Sequence, residues 1–449
     1  MKILNRREPL ILFAGDLLAF CLALWLSLAL RYGSIPSIPL LYQHAVPFFV
    51  LFVFWVLAFF IAGLYEKHTL VFKGKLPALI LNTQIINSFI AVSFFYLTPF
   101  FGITPKTILA MELVIFSLLI ILWRIVLVPL FGLRQRENAI IIGAGPEMKE
   151  LLAEVNGNER YNITFFSSVD LEQIDGIAFQ EEVIEKVYSE GISSIVIDLK
   201  SEKSKKILPS LYNLIFSNIR FFDMNKVYEE IFERIPLSLL EYNWFLENIS
   251  ASPKVTYDFL KRVMDIAVSS VLGFISLVFY PFIWLAIKLD DGGDIFIIQE
   301  RIGKNNCIVK ILKFRTMSVD DGGEGDSDRD KKITRVGKYL RASRIDEFPQ
   351  LWSVLKGDIS LIGPRPELPK LANLYEEQIS FYNIRHLIKP GLSGWAQLYQ
   401  ENPPKFAEDY GQTKTKLSYD LFYIKNRSLV LDIAITLKTI KILLSRGGR

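Results

Sequence analysis

Four long apolar runs at the start of the chain constrain its fold more than any other feature. They cover about residues 9–30, 46–64, 78–100 and 107–131, and a helix of about 20 apolar residues is long enough to cross a bilayer. The first run has no small-residue cleavage site and exceeds the apolar core of a signal peptide. The sequence therefore predicts a membrane protein with a four-helix transmembrane bundle over residues 1–136.

The basic residues around these runs predict their orientation, because loops rich in Lys and Arg stay in the cytoplasm. They lie before the first run, between the second and third, and after the fourth: Lys2, Arg6, Arg7, Lys67, Lys73, Lys75, Arg134 and Arg136. The chain after Arg134 is therefore expected to start in the cytoplasm.

Two charged residues interrupt these runs at matching depth. Asp16 and Arg124 each lie about seven residues, or roughly 10 Å of helix rise, from the predicted cytoplasmic edge. We hypothesise that they form an intramembrane ion pair. In the alternative, each side chain reaches the membrane interface separately.

Residues 137–250 have the alternation of strands and helices that is typical of a Rossmann-like α/β module. Buried-strand patterns occur at 139–142, 163–166 and 194–198. The turn Gly143–Ala144–Gly145 resembles a dinucleotide-binding loop, but Met148 occupies the third glycine position. We expect a module without a cofactor that acts as an interface or regulatory domain, with nucleotide binding as the alternative.

Composition removes several classes of function. The net charge of +4 gives no bulk electrostatic reason to expect nucleic-acid binding. Two cysteines and three scattered histidines support neither a disulfide framework, nor a thiolate metal site, nor a histidine-based catalytic triad. Carboxylates, Lys and Arg remain as the candidate catalytic groups.

A further apolar run, residues 265–287, is bounded by basic residues at both ends. A straight fifth span would carry the rest of the chain away from the cytoplasm, against this charge distribution. Pro281 can bend the helix, so the sequence favours a re-entrant membrane helix at 261–288. A straight span with an ordinary proline kink is the alternative.

The segment that follows carries the residues best suited to phosphate chemistry. Lys313 and Arg315 alternate with apolar residues, so they should share one face of a strand. Asp346 and Glu347 precede Pro349, which favours a helix start there, with Arg341 and Arg344 nearby. Such carboxylates can supply a magnesium ligand and a nucleophile whose pKa the cations lower, although helix capping would also explain them.

A further cation in this segment, Arg365, lies in the stiff sequence Gly363–Pro364–Arg365–Pro366. Both prolines fix their own torsions and restrict the residues before them. Arg365 is therefore presented with little conformational freedom, as suits bidentate phosphate recognition.

Four stretches together resemble the bacterial sugar transferase family of monotopic phosphoglycosyl transferases: 313–317, 346–351, 356–358 and 363–366. The resemblance covers about residues 254–449 and implies a monotopic α/β catalytic domain with the re-entrant helix bent at Pro281. Tyr280, which precedes Pro281, stands where the small members of that family favour serine.

The resemblance also implies the chemistry. Asp346 would attack the β-phosphate of a UDP-sugar, UMP would leave, and undecaprenyl (polyprenyl) phosphate would accept the sugar phosphate, with Mg²⁺ as cofactor bound through Asp346. Glu347 would assist catalysis, and the substrate-binding residues would be Lys313, Arg315, Arg341, Arg365 and Gln350. This is the initiating step of exopolysaccharide, capsule, O-antigen or glycoconjugate synthesis at the bacterial inner membrane.

Two other functions stay open from the sequence. One is a glycosyltransferase that releases UDP, and the other is a non-catalytic membrane scaffold or regulator. The sequence does not identify the sugar, and the four spans offer a surface for a homodimer.

Overall fold

The computed structural model describes residues 8–65, 76–97, 106–128, 136–158, 161, 163–170, 187, 189–199, 201–217, 219–249, 254–318, 333–404 and 409–444. The chain divides into two compact units, Met1–Ile231 and Phe232–Arg449. Of the basic residues that predicted the membrane orientation, only Arg136 lies within the described residues.

The first unit begins with four helices: α1 Glu8–Tyr32, α2 Ile38–Ile61, α3 Leu76–Leu97 and α4 Lys106–Ile121, the last continued by a π-helical turn Leu122–Leu127. All four are long and apolar enough to cross a membrane, which confirms four apolar helices where the sequence predicted the spans. Their core is aromatic: Phe116 stacks on Trp55 and Phe59, and Phe20 meets Trp55 edge-on.

The hypothesised ion pair inside the bundle is present. Both side chains are fully buried, Arg124 Nε donates to Asp16 Oδ1 at 3.2 Å, and Arg124 Nη2 contacts Asp16 Oδ2. Tyr65 donates to Asp16 at 2.7 Å, and the carbonyl of Leu64 accepts from Arg124 at 2.7 Å. The ions are thus paired and hydrogen-bonded, as charges removed from water must be.

The rest of the first unit is an α/β module. Its parallel sheet has the order β2-β1-β3-β4, with β1 Glu137–Gly143, β2 Ile163–Asp170, β3 Ser194–Ile197 and β4 Arg220–Asp223. Helices α5 Gly145–Gly157, α6 Glu202–Tyr212 and α7 Met224–Phe232 accompany the strands. The three predicted strands are confirmed as β1, β2 and β3. Gly145 begins α5 with φ +86°, a left-handed value that glycine adopts without strain.

The second unit starts with α8 Tyr242–Asn248 and a bent helix pair, α9 Val255–Leu277 and α10 Tyr280–Asp290. The two helices of the pair meet at 55°. Pro281 lies in the first turn of α10, where the lack of a backbone N–H costs nothing. The hydroxyl of Tyr280 accepts from Trp352 Nε1 at 3.2 Å, and its ring packs edge-on against Phe314. Tyr280 thus links the bend between α9 and α10 to Trp352 and Phe314.

The elements around the predicted site follow. They are β5 Phe296–Ile302 and β6 Ile308–Phe314, an antiparallel pair, then α11 Arg335–Ser343, α12 Gln350–Lys356, β7 Ser360–Ile362, α13 Pro369–Gln378, β8 Gly391–Ser393, α14 Trp395–Tyr399, α15 Tyr410–Asn426 and α16 Leu429–Leu444. Strands β7 and β8 pair in parallel.

Residues 232–249 pack within the second unit. Ile235, Trp244 and Phe245 share a core with Tyr375 and Leu417. The sequence predicted that residues up to 250 belong to the middle module. Their packing against residues more than 100 positions away leaves no pattern in the sequence of the segment itself. The three-domain division stays a prediction.

Candidate active site

A polar cleft of about 430 Å³ in the second unit brings together most of the residues that the sequence singled out. Its walls come from β5, β6 and the residues just after β6, from α11 and the turn that follows it, and from the segment after β7. It is lined by Ile297, Gln299, Lys313, Phe314, Thr316, Met317, Arg341, Ala342, Arg344, Asp346, Glu347 and Arg365. The cleft therefore unites two adjacent carboxylates with cations from three separate segments.

The two carboxylates are presented by a sharp change of backbone direction. Arg344 ends α11 in the left-handed region at φ +55°, and a single 3-10 turn, Ile345–Glu347, follows. Pro349 then precedes α12. The prediction that Asp346 and Glu347 lie just before a helix is confirmed. Both are half-buried, so a ligand in the cleft can reach them.

The predicted pKa shift of Asp346 is wrong in direction. Burial raises the pKa of this carboxyl, the charge of Glu347 raises it further, and Lys313 and Arg341 only partly oppose both effects. The sequence displays the flanking cations, but burial is a property of the folded cleft. The ionised form of Asp346 thus depends on the cations around it.

Two cations are oriented by neighbouring groups. Arg365 Nη2 donates to Glu347 Oε1 at 3.1 Å, and Arg341 Nε donates to Thr316 Oγ1 at 2.9 Å. Thr316 was not singled out from the sequence, since a lone threonine after a strand carries no recognisable signal. Burial lowers the pKa of Lys313, an effect that Glu347 partly offsets.

Gly337 lets α11 approach the cleft closely. A Cβ at this position would lie 2.1 Å from the carbonyl oxygen of Thr316. Any larger residue would therefore push α11, and with it Arg341, away from Thr316.

The backbone that presents Arg365 is braced by a buried ion network. Arg385 Nη2 donates to the carbonyl of Arg365 at 3.0 Å, and the same guanidinium pairs with Glu367 at 3.1 Å and Asp420 at 2.8 Å. Lys416 also contacts Glu367. Burial alone would raise the pKa of Glu367, but the charges of Lys416 and Arg385 lower it to about 2. The sequence pattern did not indicate a role for Arg385, because its partners Arg365, Glu367 and Asp420 are 18 to 35 positions away.

Two of the proposed substrate-binding residues lie outside the cleft lining. Arg315 Nη2 pairs with Asp291 at 2.7 Å and its Nε donates to the carbonyl of Met317 at 2.8 Å. Strand β6 ends at Phe314, so the alternation that would have kept Arg315 beside Lys313 stops there. Gln350 is only 5% exposed, in the first turn of α12.

The donor set of the cleft is compatible with magnesium. Among the residues that the structure describes, no three His, Cys, Asp or Glu side chains are grouped so that they could hold a metal ion alone. Mg²⁺ does not require such a cage, because it binds through one or two carboxylates together with substrate phosphates and waters. Asp346 and Glu347 provide such carboxylates at the cleft.

Comparison with known proteins points to one family. A family model described as bacterial sugar transferase matches residues 256–446. The exopolysaccharide production protein PSS of Rhizobium leguminosarum bv. phaseoli is 36% identical over 195 residues, which cover 42% of this chain and 96% of that protein.

Two longer relatives carry more specific names. The UDP-N-acetylgalactosamine-undecaprenyl-phosphate N-acetylgalactosaminephosphotransferase of Aeromonas hydrophila is 39% identical over 239 residues, 52% of this chain and 54% of that protein. The undecaprenyl-phosphate glucose phosphotransferase of Komagataeibacter xylinus is 28% identical over 332 residues, 70% of this chain and 60% of that protein. The chain thus spans little more than half the length of these two relatives.

Proposed function

Because this chain belongs to the bacterial sugar transferase family, we propose that it transfers a sugar 1-phosphate from a UDP-sugar to polyprenyl phosphate. The observation that carries the proposal is the cleft in which Asp346 and Glu347 face Lys313, Arg341 and Arg365. Such a cleft suits phosphoryl transfer, which needs a positioned nucleophile and stabilisation of the charge on the transferred group.

The proposed reaction has two displacements. In the first, an oxygen of Asp346 attacks the β-phosphorus, the bond from that phosphorus to the bridging oxygen breaks, and UMP leaves. In the second, a phosphate oxygen of the polyprenyl carrier attacks the same phosphorus and releases the Asp346 carboxylate. The Asp346 carboxylate and the carrier phosphate would attack as anions, so neither step would need a general base.

The surrounding residues would stabilise charge and fix geometry. Lys313 and Arg341 face Asp346, and Arg365 donates to Glu347, so a diphosphate in the cleft would meet cations around the attacked phosphorus. Mg²⁺ bound through an oxygen of Asp346, with Glu347 assisting, would neutralise part of the diphosphate charge.

The membrane arrangement belongs to the same proposal. We expect four spans in the inner membrane over residues 1–136, a Rossmann-like module without a cofactor at 137–250, and a catalytic domain at 254–449 that faces the cytoplasm. A re-entrant helix at 261–288 is supported by the 55° bend between α9 and α10 and by exposed apolar side chains on both arms, Phe274 at 71% and Phe282 at 70%. The bundle also offers a surface for a homodimer.

The biological role that we propose is the initiating step of exopolysaccharide, capsule, O-antigen or glycoconjugate synthesis. It follows from the acceptor, because a sugar phosphate on a polyprenyl carrier is a starting point for glycan assembly. The sugar itself is left to experiment.

The released nucleotide tests the proposal. The full-length chain is incubated with Mg²⁺, undecaprenyl phosphate and a panel of UDP-sugars, beside Asp346→Asn and the control Asp294→Asn, whose side chain is exposed outside the cleft. We expect UMP from the wild type and from Asp294→Asn, and none from Asp346→Asn. Release of UDP would instead indicate transfer of the sugar alone. Release of no nucleotide with any donor would favour a non-catalytic scaffold.

A further inference from the structure

A second pocket in the same unit is cationic and lies at the start of α9. It measures about 200 Å³, and its lining includes five cations, Lys261, Arg262, Lys304, Lys389 and Arg427, against two carboxylates, Asp258 and Asp265. An excess of three positive charges in so small a pocket favours an anionic ligand.

Both carboxylates of the lining already have partners, and Asp432, which lies outside the lining, neutralises Lys261 and reduces the excess of three to two. Asp265 is 3% exposed and accepts from the hydroxyl of Ser360 at 2.8 Å and the backbone N–H of Leu361 at 3.1 Å. Asp258 lies 3.9 Å from Arg427.

Among the cations, Lys261 pairs with Asp432 at 2.9 Å. Arg262 donates to the carbonyls of Val354 and Leu355 at 2.7 and 2.6 Å. Within the described part of the chain, neither Lys304 nor Lys389 has an acidic partner within 4.0 Å. Burial lowers the pKa of Lys389, and Arg262 lowers it further. These cations therefore repel one another, and a bound anion would relieve that repulsion.

Exposed apolar side chains flank the pocket on two helices. On α9, Val255 is 68% and Phe259 66% exposed, and on α16, Val430 is 78% and Ile433 51% exposed. The hydroxyl of Tyr257 on α9 donates to Asp432 on α16 at 2.9 Å, so the two helices are joined at this point. A cationic pocket between apolar helix surfaces matches the two parts of a phospholipid, its phosphate and its acyl chains.

The pocket is separate from the candidate active site. The two linings share no residue. Arg262 binds carbonyls at the C-terminal end of α12, whereas Asp346 and Glu347 precede its N-terminal end, seven residues away. The cationic pocket and the two carboxylates therefore lie at opposite ends of α12.

We propose that this pocket binds the phosphate of an anionic membrane phospholipid, with Arg262, Lys304 and Lys389 around the phosphate and the acyl chains along α9 and α16. The bound lipid would anchor the start of the bent helix pair at the membrane surface.

The test measures binding of dihexanoylphosphatidylglycerol to the full-length chain in detergent, by calorimetry and by the lipid-dependent rise in the thermal midpoint. Lys304→Gln with Lys389→Gln should weaken binding roughly tenfold or more, because two charge-assisted contacts are lost. The matched control, Lys370→Gln with Lys414→Gln, removes two exposed lysines outside both pockets and should bind as the wild type does.

Three comparisons make the test decisive. Lys304→Gln alone changes one exposed side chain, so it keeps the test informative if the double variant does not fold, and it should show an intermediate loss. Dihexanoylphosphatidylcholine should bind more weakly than the glycerol lipid. Equal binding of the two lipids, unchanged binding by the variants, or inorganic phosphate binding as tightly as the lipid would each overturn the proposal.

Discussion

Replacement of Arg385 by Met should destabilise the second unit and disturb Arg365 together. The guanidinium is 1% exposed and bonds to Glu367, Asp420, the hydroxyl of Tyr382 at 2.6 Å and the carbonyl of Arg365. Removing it leaves an uncompensated buried negative charge, since Glu367 and Asp420 would then face Lys416 alone. Breaking a buried pair in this way costs about 3–5 kcal/mol, which corresponds to a fall in thermal midpoint of roughly 6–20 °C.

Thermal unfolding followed by tryptophan fluorescence reports this change, because Trp244 and Trp395 are both 5% exposed in the second unit. Arg335→Met, at an exposed arginine, is the matched control and should leave the midpoint unchanged. Adding Asp420→Asn to Arg385→Met restores the charge balance and should recover part of the loss. If Arg385→Met unfolds within about 2 °C of Arg335→Met, the reasoning about the buried network is refuted.

Three further predictions follow from the contacts described above. The pKa of Glu367 is lowered from 4.5 to about 2, so the stability that its ionised form gives the folded protein should be complete above about pH 4.5 and be lost as the pH falls toward 2. When the thermal midpoint is measured against pH, Glu367→Gln should lack this loss. Arg365→Lys should lower kcat/KM for UMP release by about tenfold or more, because Lys lacks the planar fork, while Lys370→Arg should not. In the bundle, Asp16→Arg and Arg124→Asp should each reduce the yield of folded protein, and the double reversal should restore it; a double variant as poor as the singles would argue against the pair.

Features with a local physical cause were predictable from the sequence. The four apolar helices follow from the length of apolar runs, and the helix start just after Pro349 follows from the preference of proline for the beginning of a helix. Even the pairing of Asp16 with Arg124 could be inferred, because two charges at equal depth in a membrane have few other partners.

Features that depend on distant parts of the chain were not predictable in this way. Arg315 is drawn to Asp291, which is 24 positions earlier, and no pattern near Arg315 indicates this. The raised pKa of Asp346 arises from burial in a cleft built by several segments. The bracing of Arg365 by Arg385 joins residues 20 positions apart on either side of α13, and the sequence offers no periodicity that would connect them.

The most direct test of the central claim is a search for the covalent intermediate. The full-length chain is mixed with Mg²⁺ and an accepted UDP-sugar, without polyprenyl phosphate, and its peptides are analysed by mass spectrometry. The account predicts that the peptide containing Asp346 gains the mass of a phosphosugar as UMP is released, and that both signals disappear on addition of polyprenyl phosphate and in Asp346→Asn. A phosphosugar on Glu347 instead, or UMP release that requires the acceptor from the first turnover, would contradict it.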